Sequence, residues 1–428
     1  MKSKFLAVRN LIFFGLFILV FLSGAFLRED LRNLYYKYIP YEIRNAFIKN
    51  DPLGDTSFDG MRFKLNAYYA KNAEEINFHS PIVSKQIETK LQKSASLNKV
   101  VYADKIDKNI IWVTHQGYIY KANPNNLKDF SFSYIGDILP NFDVSNSNSG
   151  IRGAISINNS NLAIYHVSKY DSNPSEKYAI RLTLIDFSNK KRHDSVLIDT
   201  SDVANQLGGG MDYDKDKNLI HLTTGDASLM NDFERSLKAQ KNEKLFGKHI
   251  VFYLDNNKEK ILKKTVLAKG LRNAQNMFLH KNNVFEVEHG PQGGDEINIL
   301  SEGNNYGWPL CSYGSNYGGD NGSHLNCKST FVEPIFHFTP SIGISDIDEC
   351  PSNLLRDGYQ PCIIVSAMKD KSFRLIKFNK EFNNVISVER VDVGNRVREI
   401  LIDEKILYLF TDSEKFYKFE YEFHKVDK

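Results

Sequence analysis

The 428-residue chain is 42% hydrophobic and 25% charged, enough apolar material for a large core, which excludes disorder and a fibrous repeat. Its formal net charge is only +3, with lysines scattered among nearly as many acids, so no continuous basic face exists and nucleic acid is excluded as a partner. The 29 Phe and 22 Tyr against 2 Trp, in runs such as Asn109-Ile-Ile-Trp-Val-Thr114 and Lys405-Ile-Leu-Tyr-Leu-Phe410, favour strands over helices.

In chain order, Lys2, Lys4 and Arg9 precede an uncharged stretch from Leu11 to Leu27, and Arg28, Glu29 and Asp30 follow it. That charge order predicts insertion with the N-terminus in the cytoplasm. The chain is then single-pass in the inner (cytoplasmic) membrane, with its bulk in the periplasm or outside the cell. The stretch is short for a membrane span and long for a signal core, so residues 1–27 read either as a retained transmembrane anchor or as a signal cleaved near Ser23-Gly-Ala25. Residues 28–95 read as a stalk or accessory segment, with a polar, helix-compatible stretch over Lys85-Gln-Ile-Glu-Thr-Lys-Leu-Gln92. From 96 to 428 short β-type runs alternate with polar turns such as Asp212-Tyr-Asp-Lys-Asp-Lys-Asn218 and His280-Lys-Asn-Asn283. This pattern predicts an all-β domain, and a propeller absorbs such a length most economically. The four cysteines, Cys311, Cys327, Cys350 and Cys362, permit three pairings; the two local ones, 311 with 327 and 350 with 362, each close a short loop and are favoured in an exported chain.

The most specific stretch runs from Gly270 to Tyr317: Gly270-Leu-Arg-Asn273, Glu288-His-Gly-Pro291, Gly293-Gly-Asp-Glu-Ile-Asn298, Asn305-Tyr-Gly-Trp-Pro309 and Ser312-Tyr-Gly314. Upstream stand Gly208-Gly-Gly-Met211 and Leu222-Thr-Thr-Gly-Asp226, and downstream Ala367-Met-Lys369 and Asn395-Arg-Val-Arg398. In these ordered motifs, over roughly residues 100 to 420, the chain resembles the PQQ-dependent glucose/sorbosone dehydrogenase family. The resemblance implies a six-bladed β-propeller that oxidises an aldose or related sugar with PQQ and Ca²⁺, passing electrons to an acceptor in the envelope. It implies cofactor contacts at Arg272, Asn273, Lys369, Arg396 and Arg398, with Tyr313 against the cofactor ring and Asn148 where the family has a glutamine. The cations suit a tricarboxylated quinone, since arginine binds carboxylates bidentately. The resemblance also implies main-chain calcium ligands at Gly290 and Pro291, with Glu296 and Tyr306 contributing; calcium takes carboxylate and carbonyl oxygens. Taken singly, each cation reads equally as a solvated surface charge and Gly290-Pro291 as a tight turn; jointly they favour a ligand site.

One departure bears on catalysis. The family's catalytic histidine falls at Gln206 or, if the following turn is one residue longer, at Leu207, and neither takes a proton at neutral pH. A positioned base contributes about 10² to 10⁴-fold to such a step. The arginine expected after the glycine pair is Gly210. Asp226 and His289 remain as candidate bases, while His221 reads as a packed strand residue. Two readings follow: a PQQ- and calcium-dependent sugar dehydrogenase, or a non-catalytic propeller that keeps the pocket as a membrane-tethered ligand-binding or scaffold protein.

Overall fold

The structure is a computed structural model that describes residues 99–420 apart from 125, 174, 230–231, 315–326, 328–329, 351–360, 405 and 413–415. The expected anchor over 1–27 and the accessory segment over 28–95 lie outside the described residues. No helix among the described residues is long and apolar enough to cross a membrane.

The chain forms successive antiparallel sheets, each a simple up-and-down meander. The first holds β1 (Val100–Ile106), β2 (Asn109–Thr114), β3 (Tyr118–Asn123) and β4 (Asn126–Tyr134). The second holds β5 (Ile151–Ser156), β6 (Asn161–Asn173), β7 (Glu176–Asp186) and β8 (Lys191–Ser201). The third holds β9 (Gly208–Asp214), β10 (Leu219–Thr224), β11 (Lys248–Leu254) and β12 (Ile261–Lys269). The fourth holds β13 (Ala274–His280), β14 (Asn283–Glu288), β15 (Asp295–Leu300) and β16 (Phe336–Phe338). The fifth holds β17 (Ile344–Glu349), β18 (Cys362–Ala367), β19 (Ser372–Phe378) and β20 (Val385–Asp392). The last holds β21 (Val397–Asp403), β22 (Ile406–Thr411) and β23 (Phe416–Glu420). Central strands such as β10, β18 and β19 are buried throughout, because both of their faces meet neighbouring sheets, and they read as near-continuous apolar runs. Outer strands such as β12, Ile-Leu-Lys-Lys-Thr-Val-Leu-Ala-Lys, carry the lysines that protect an edge.

The expected count of six blades needs correction. Five complete four-stranded blades are present among the described residues, and the last sheet has three strands, because no described segment pairs beyond β23.

The inner strands are joined side by side through specific contacts. The Ser156 amide donates to Tyr102 Oη at 2.9 Å, linking the first two sheets. Between the second and third, Gly153 meets Gly209 so closely that a Cβ on Gly153 would lie 2.0 Å from the Gly209 carbonyl oxygen, so only glycine fits. The Leu279 amide donates to Asp212 at 2.6 Å. Asn276 donates to Asp346, and the Ile400 amide donates to the other oxygen of Asp346 at 2.6 Å. The Ala103 amide donates to Glu399 at 3.3 Å, joining the last sheet to the first, where Trp112 and Tyr120 share a core with Tyr408 and Phe410. Both local disulfides are formed, Cys311–Cys327 and Cys350–Cys362, with Cα separations of 5.6 and 5.3 Å.

Burial pushes the Asp346 carboxyl up to about 7. The folded state therefore holds a proton that the unfolded chain releases near pH ~4, and this group's contribution to stability is full below that pH and is lost as pH rises through about 7. Asp346→Asn keeps an oxygen to accept from Ile400 and cannot ionise. Thermal midpoints measured from pH 4 to 8 are expected to fall less steeply for this variant than for the wild type; parallel profiles would contradict the assignment.

Candidate active site

Each sheet is entered on its inner strand, so the starts of the inner strands, the hairpins between second and third strands, and the connections from sheet to sheet all share one end of the domain. Nearly every residue singled out in the sequence lies there. Asn148 is in the β4–β5 connection, Gln206 in β8–β9, Arg272 and Asn273 in β12–β13, and Arg396 in β20–β21. Asp226, the Gly290-Pro291 pair and Lys369 occupy second-to-third connections, and Glu296 begins β15. Tyr306 and Tyr313 belong to the long β15–β16 connection, which is bound back to this end by the Tyr306 amide on Lys269 O (2.9 Å) and the Trp308 amide on Gly270 O (3.0 Å).

A β-bulge recurs near the start of every inner strand: Val101, Arg152, Gly209-Gly210, Gln275, Ser345 and Arg398 are the residues skipped by the pairing. A bulge re-aims a side chain out of the alternating pleat. Arg398 and Arg152 therefore hold equivalent positions on either side of the first sheet. The sequence reading selects Arg398 and misses Arg152, because Ile151-Arg-Gly-Ala-Ile looks like an ordinary strand.

Arg272 is the centre of the best-ordered part. Its Nη1 donates to the carbonyls of His289 (2.7 Å) and Gly290 (2.8 Å), its backbone amide donates to Glu288, and its guanidinium lies 5.0 Å over the Trp308 ring. Its Nε is buried and has no partner. Asp226 is wholly buried and accepts from Trp308 Nε1 (2.7 Å), Ser228 Oγ (2.8 Å) and the Ser228 amide (3.1 Å). Burial pushes its carboxyl up, and the Arg272 charge opposes that. Both oxygens are occupied, so Asp226 holds Trp308 and faces Arg272 as a fixed counter-charge instead of standing open as a base.

Gln206 sits in a left-handed conformation (φ 46°), its carbonyl accepting from the Ala227 amide at 3.1 Å, and its Oε1 is buried without a partner. Leu207 is fully buried in the core between the second and third sheets, with Tyr165 Oη donating to its carbonyl at 2.8 Å. Of the two residues aligned with a base, Gln206 is the one with a polar side chain to present. Asn273 connects this segment to His289: its Oδ1 accepts from the Gly208 amide at 3.3 Å and its Nδ2 lies 3.4 Å from His289 Nδ1. Burial lowers the His289 imidazole's affinity for a proton, so it is neutral at pH 7. His221 packs against His249, Nδ1 to Nε2 at 3.0 Å, inside the third sheet, as a strand residue.

Arg396 and Arg398 share Asp412: Arg396 Nε donates at 2.9 Å, and Arg398 donates through Nε at 2.5 Å and Nη2 at 2.9 Å. Against the upward push of burial, these bonds hold Asp412 below the usual carboxylate range. Lys369 is exposed in the β18–β19 turn and Asn148 in its own turn, where its amide donates to Asn146 Oδ1 at 2.8 Å. Tyr313 stacks on His337 (4.5 Å between centroids) and donates to Glu333 at 2.6 Å.

Among the calcium candidates, the Gly290 carbonyl is engaged by Arg272, and the Gly290 amide donates to Asp295 at 3.1 Å. Tyr306 Oη donates to Ile299 O at 2.6 Å and accepts from the Ser301 amide at 2.9 Å, so a metal contact would fall to its carbonyl. Glu296 lies directly opposite Glu288 on the β14–β15 ladder, and burial pushes Glu288 up to about 7 and Glu296 well above the usual range. Like charges so placed repel, and a hard cation would relieve them. No group of three or more His, Cys, Asp or Glu among the described residues is arranged to hold a metal ion.

Residues 147–417 match the family model "Glucose / Sorbosone dehydrogenase". The chain belongs to this family. A curated relative, the aldose sugar dehydrogenase YliI of Escherichia coli (strain K12), is 32% identical over 162 residues, 36% of this chain and 43% of that protein. An uncharacterized protein of Synechocystis is 29% identical over 143 residues, 32% of this chain and 33% of its own length. The alignments thus span less than half the length of these relatives. The crystal structure of the E. coli aldose sugar dehydrogenase in its apo form shares the fold at a TM-score of 0.61 and 20% identity, covering 79% of this chain and 99% of that one. The PQQ-bound aldose sugar dehydrogenase of Streptomyces coelicolor does so at 0.55 and 18%, covering 80% and 100%.

Asp226→Ala would strip Arg272 of its counter-charge and leave the Trp308 indole N–H unpaired. Urea unfolding followed by tryptophan fluorescence is expected to show a loss of about 1–3 kcal/mol, the cost of leaving a buried donor unsatisfied. A loss below about 1 kcal/mol would show that Asp226 is not a structural anchor, since surface changes stay within that size.

Proposed function

We propose that the chain is a quinoprotein sugar dehydrogenase that binds PQQ and Ca²⁺ at the inner-strand end of its propeller, with the three-stranded last sheet acting as a sixth blade. The observation that carries this reading is a set of buried polar atoms at that end with no partner: Gln206 Oε1, Arg272 Nε and Arg152 Nε. Each such group costs about 1–3 kcal/mol when left unpaired, a penalty that a polar ligand would remove. Membership of the glucose/sorbosone dehydrogenase family, and a fold shared with an aldose sugar dehydrogenase whose structure holds PQQ, support the same reading. Residues 1–27 would tether the domain to the outer face of the cytoplasmic membrane, where an envelope acceptor takes the electrons.

In this arrangement Arg272, Lys369, Arg396 and Arg398 would bind the cofactor's carboxylates, and Asn273 fixes the Gly208 loop beside them. Glu296, the carbonyls of Gly290 and Pro291, and that of Tyr306 would hold calcium; Arg272 must then release the Gly290 carbonyl. Bound together, the quinone and calcium supply an electrophilic centre that accepts hydride from the sugar. Removing the hydroxyl proton falls to this chain. Gln206 can orient that hydroxyl through Oε1 but cannot take its proton, so neutral His289, joined to the same loop through Asn273, is the group assigned as base. The second reading, a ligand-binding protein without turnover, is favoured by Gln206 alone.

Titration of the quinone absorbance is expected to show PQQ binding that is abolished by a calcium chelator and restored by added Ca²⁺; binding indifferent to calcium would remove the metal from the account. If no base operates in the wild type, Gln206→His is expected to raise sugar-dependent dye reduction on the order of 10²-fold, mainly in turnover. If His289 is the base, the wild type is active, Gln206→His changes little and His289→Ala abolishes turnover. Inactivity of wild type and Gln206→His alike, with PQQ bound, would leave the ligand-binding reading.

A further inference from the structure

The cationic rim around the first sheet extends beyond the residues that the family motifs select. Arg152 is the bulged residue of β5, as Arg398 is of β21, and the two flank β1. Its neighbours in electrostatic reach are Arg398, Lys99, His115 and Tyr165. None of them supplies a negative charge. Tyr165 Oη is committed to the Leu207 carbonyl. His115 is buried against Gly150, with Nδ1 3.2 Å from the Ile151 carbonyl, and burial lowers it to about 4, so it is neutral. Lys99 is a second cation, its Nζ donating to the Ser147 carbonyl at 2.5 Å. Asp412, the acid that acts on Lys99, is already shared by Arg396 and Arg398. Burial, reinforced by repulsion from Arg398, lowers the Arg152 guanidinium to about 10, and its Nε has no partner.

Arg152 is half-buried with its Nε shut away from water, and a cation so placed, facing two others without a counter-ion, is unfavourable unless something anionic visits it. The guanidinium's planar fork matches a carboxylate and has no comparable complement in a neutral sugar hydroxyl. We propose that Arg152, with Arg398 across β1 and Lys99 at the head of β1, is a carboxylate-binding subsite of the ligand pocket, facing the Gly209 loop that follows Gln206. The proposal rests on the reading above that this end of the domain is the ligand pocket. The carboxylate comes either from the quinone cofactor or from an acidic sugar of the uronate class.

The test compares the wild-type chain with Arg152→Leu and Arg152→Lys in three measurements: the thermal midpoint without ligand, PQQ affinity with calcium by quinone absorbance, and the midpoint shifts produced by glucuronate and by glucose. Arg152→Leu is expected to melt at or above the wild-type temperature without ligand, because it removes an uncompensated, half-buried charge, and to bind the carboxylate ligand at least about 10-fold more weakly. Arg152→Lys, keeping the charge without the fork, should fall between. A loss confined to glucuronate assigns the carboxylate to the substrate, and a loss in PQQ affinity assigns it to the cofactor; either supports the subsite. Unchanged affinity for both ligands in Arg152→Leu, or a marked loss of stability without ligand, overturns it in favour of a structural role. Glucuronate binding that depends on Arg152 in a protein that does not take PQQ would keep the subsite and remove the quinone reading, whereas PQQ binding indifferent to Arg152, with no glucuronate response, would do the reverse. Wild type that binds neither anion overturns both.

Discussion

Most adjacent inner strands are locked by polar side chains that reach sideways to the next strand, and the rest of the domain depends on that lateral register. Asp346 carries two of these junctions at once, accepting from Asn276 on one side and Ile400 on the other. Glu399 carries the junction that joins the last sheet to the first. These acceptors are buried carboxylates, and burial raises them: Asp346 to about 7 and Glu399 well above the usual range. Hydrophobic contact between sheets is abundant but non-directional, and would tolerate one sheet sliding on another. A carboxylate fixed to a single amide does not, so the starts of the inner strands arrive together at one end.

That common level is what lets six local irregularities become one site. A bulge at the same point of each inner strand takes a residue out of the pleat. Where the bulge holds Ser345 its hydroxyl donates to the Val397 carbonyl of the next inner strand at 2.7 Å, and where it holds Gly209-Gly210 the backbone of the neighbouring sheet comes into contact. Where it holds arginine, at 152 and 398, a cation is delivered to the rim. The connections then add groups at the same level, and the long β15–β16 connection brings Trp308 under Arg272 and over Asp226. The stability of this corner is thus bound up with its chemistry, since Asp226 and Trp308 pack around the Arg272 guanidinium, whose Nε is buried and unpaired.

Much of this is legible in the sequence, for a definite reason. The motifs between Gly270 and Gly314 lie mostly in connections and at strand ends, where glycines, prolines and polar residues answer to backbone geometry and so stand out from the strand pattern. The same kind of signal, the glycines at 208 and 209, locates Gln206. The two disulfides are legible from loop length. Arg152 is not, since a bulge leaves no trace in an apolar strand pattern, and only three-dimensional register reveals that it matches Arg398. Nor does the sequence separate a base from an anchor at Asp226: a Gly-Asp pair after a strand looks the same in both roles, and the difference lies in Trp308, 82 positions away. The number of complete blades among the described residues is equally hidden, because no turn signal sets the three-stranded sheet apart from the four-stranded ones.

The central claim is that the inner-strand starts assemble one polyanion site from Arg152, Arg272, Arg396 and Arg398. A crystal structure of the chain with PQQ and Ca²⁺ tests it most directly. The account predicts the heterocycle at that end of the domain, with its carboxylates on these guanidinium groups and the Gly290 carbonyl turned from Arg272 to the metal. A complex in which the quinone lies elsewhere, or in which Arg272 still holds the Gly290 carbonyl and the arginines meet only water, would contradict it.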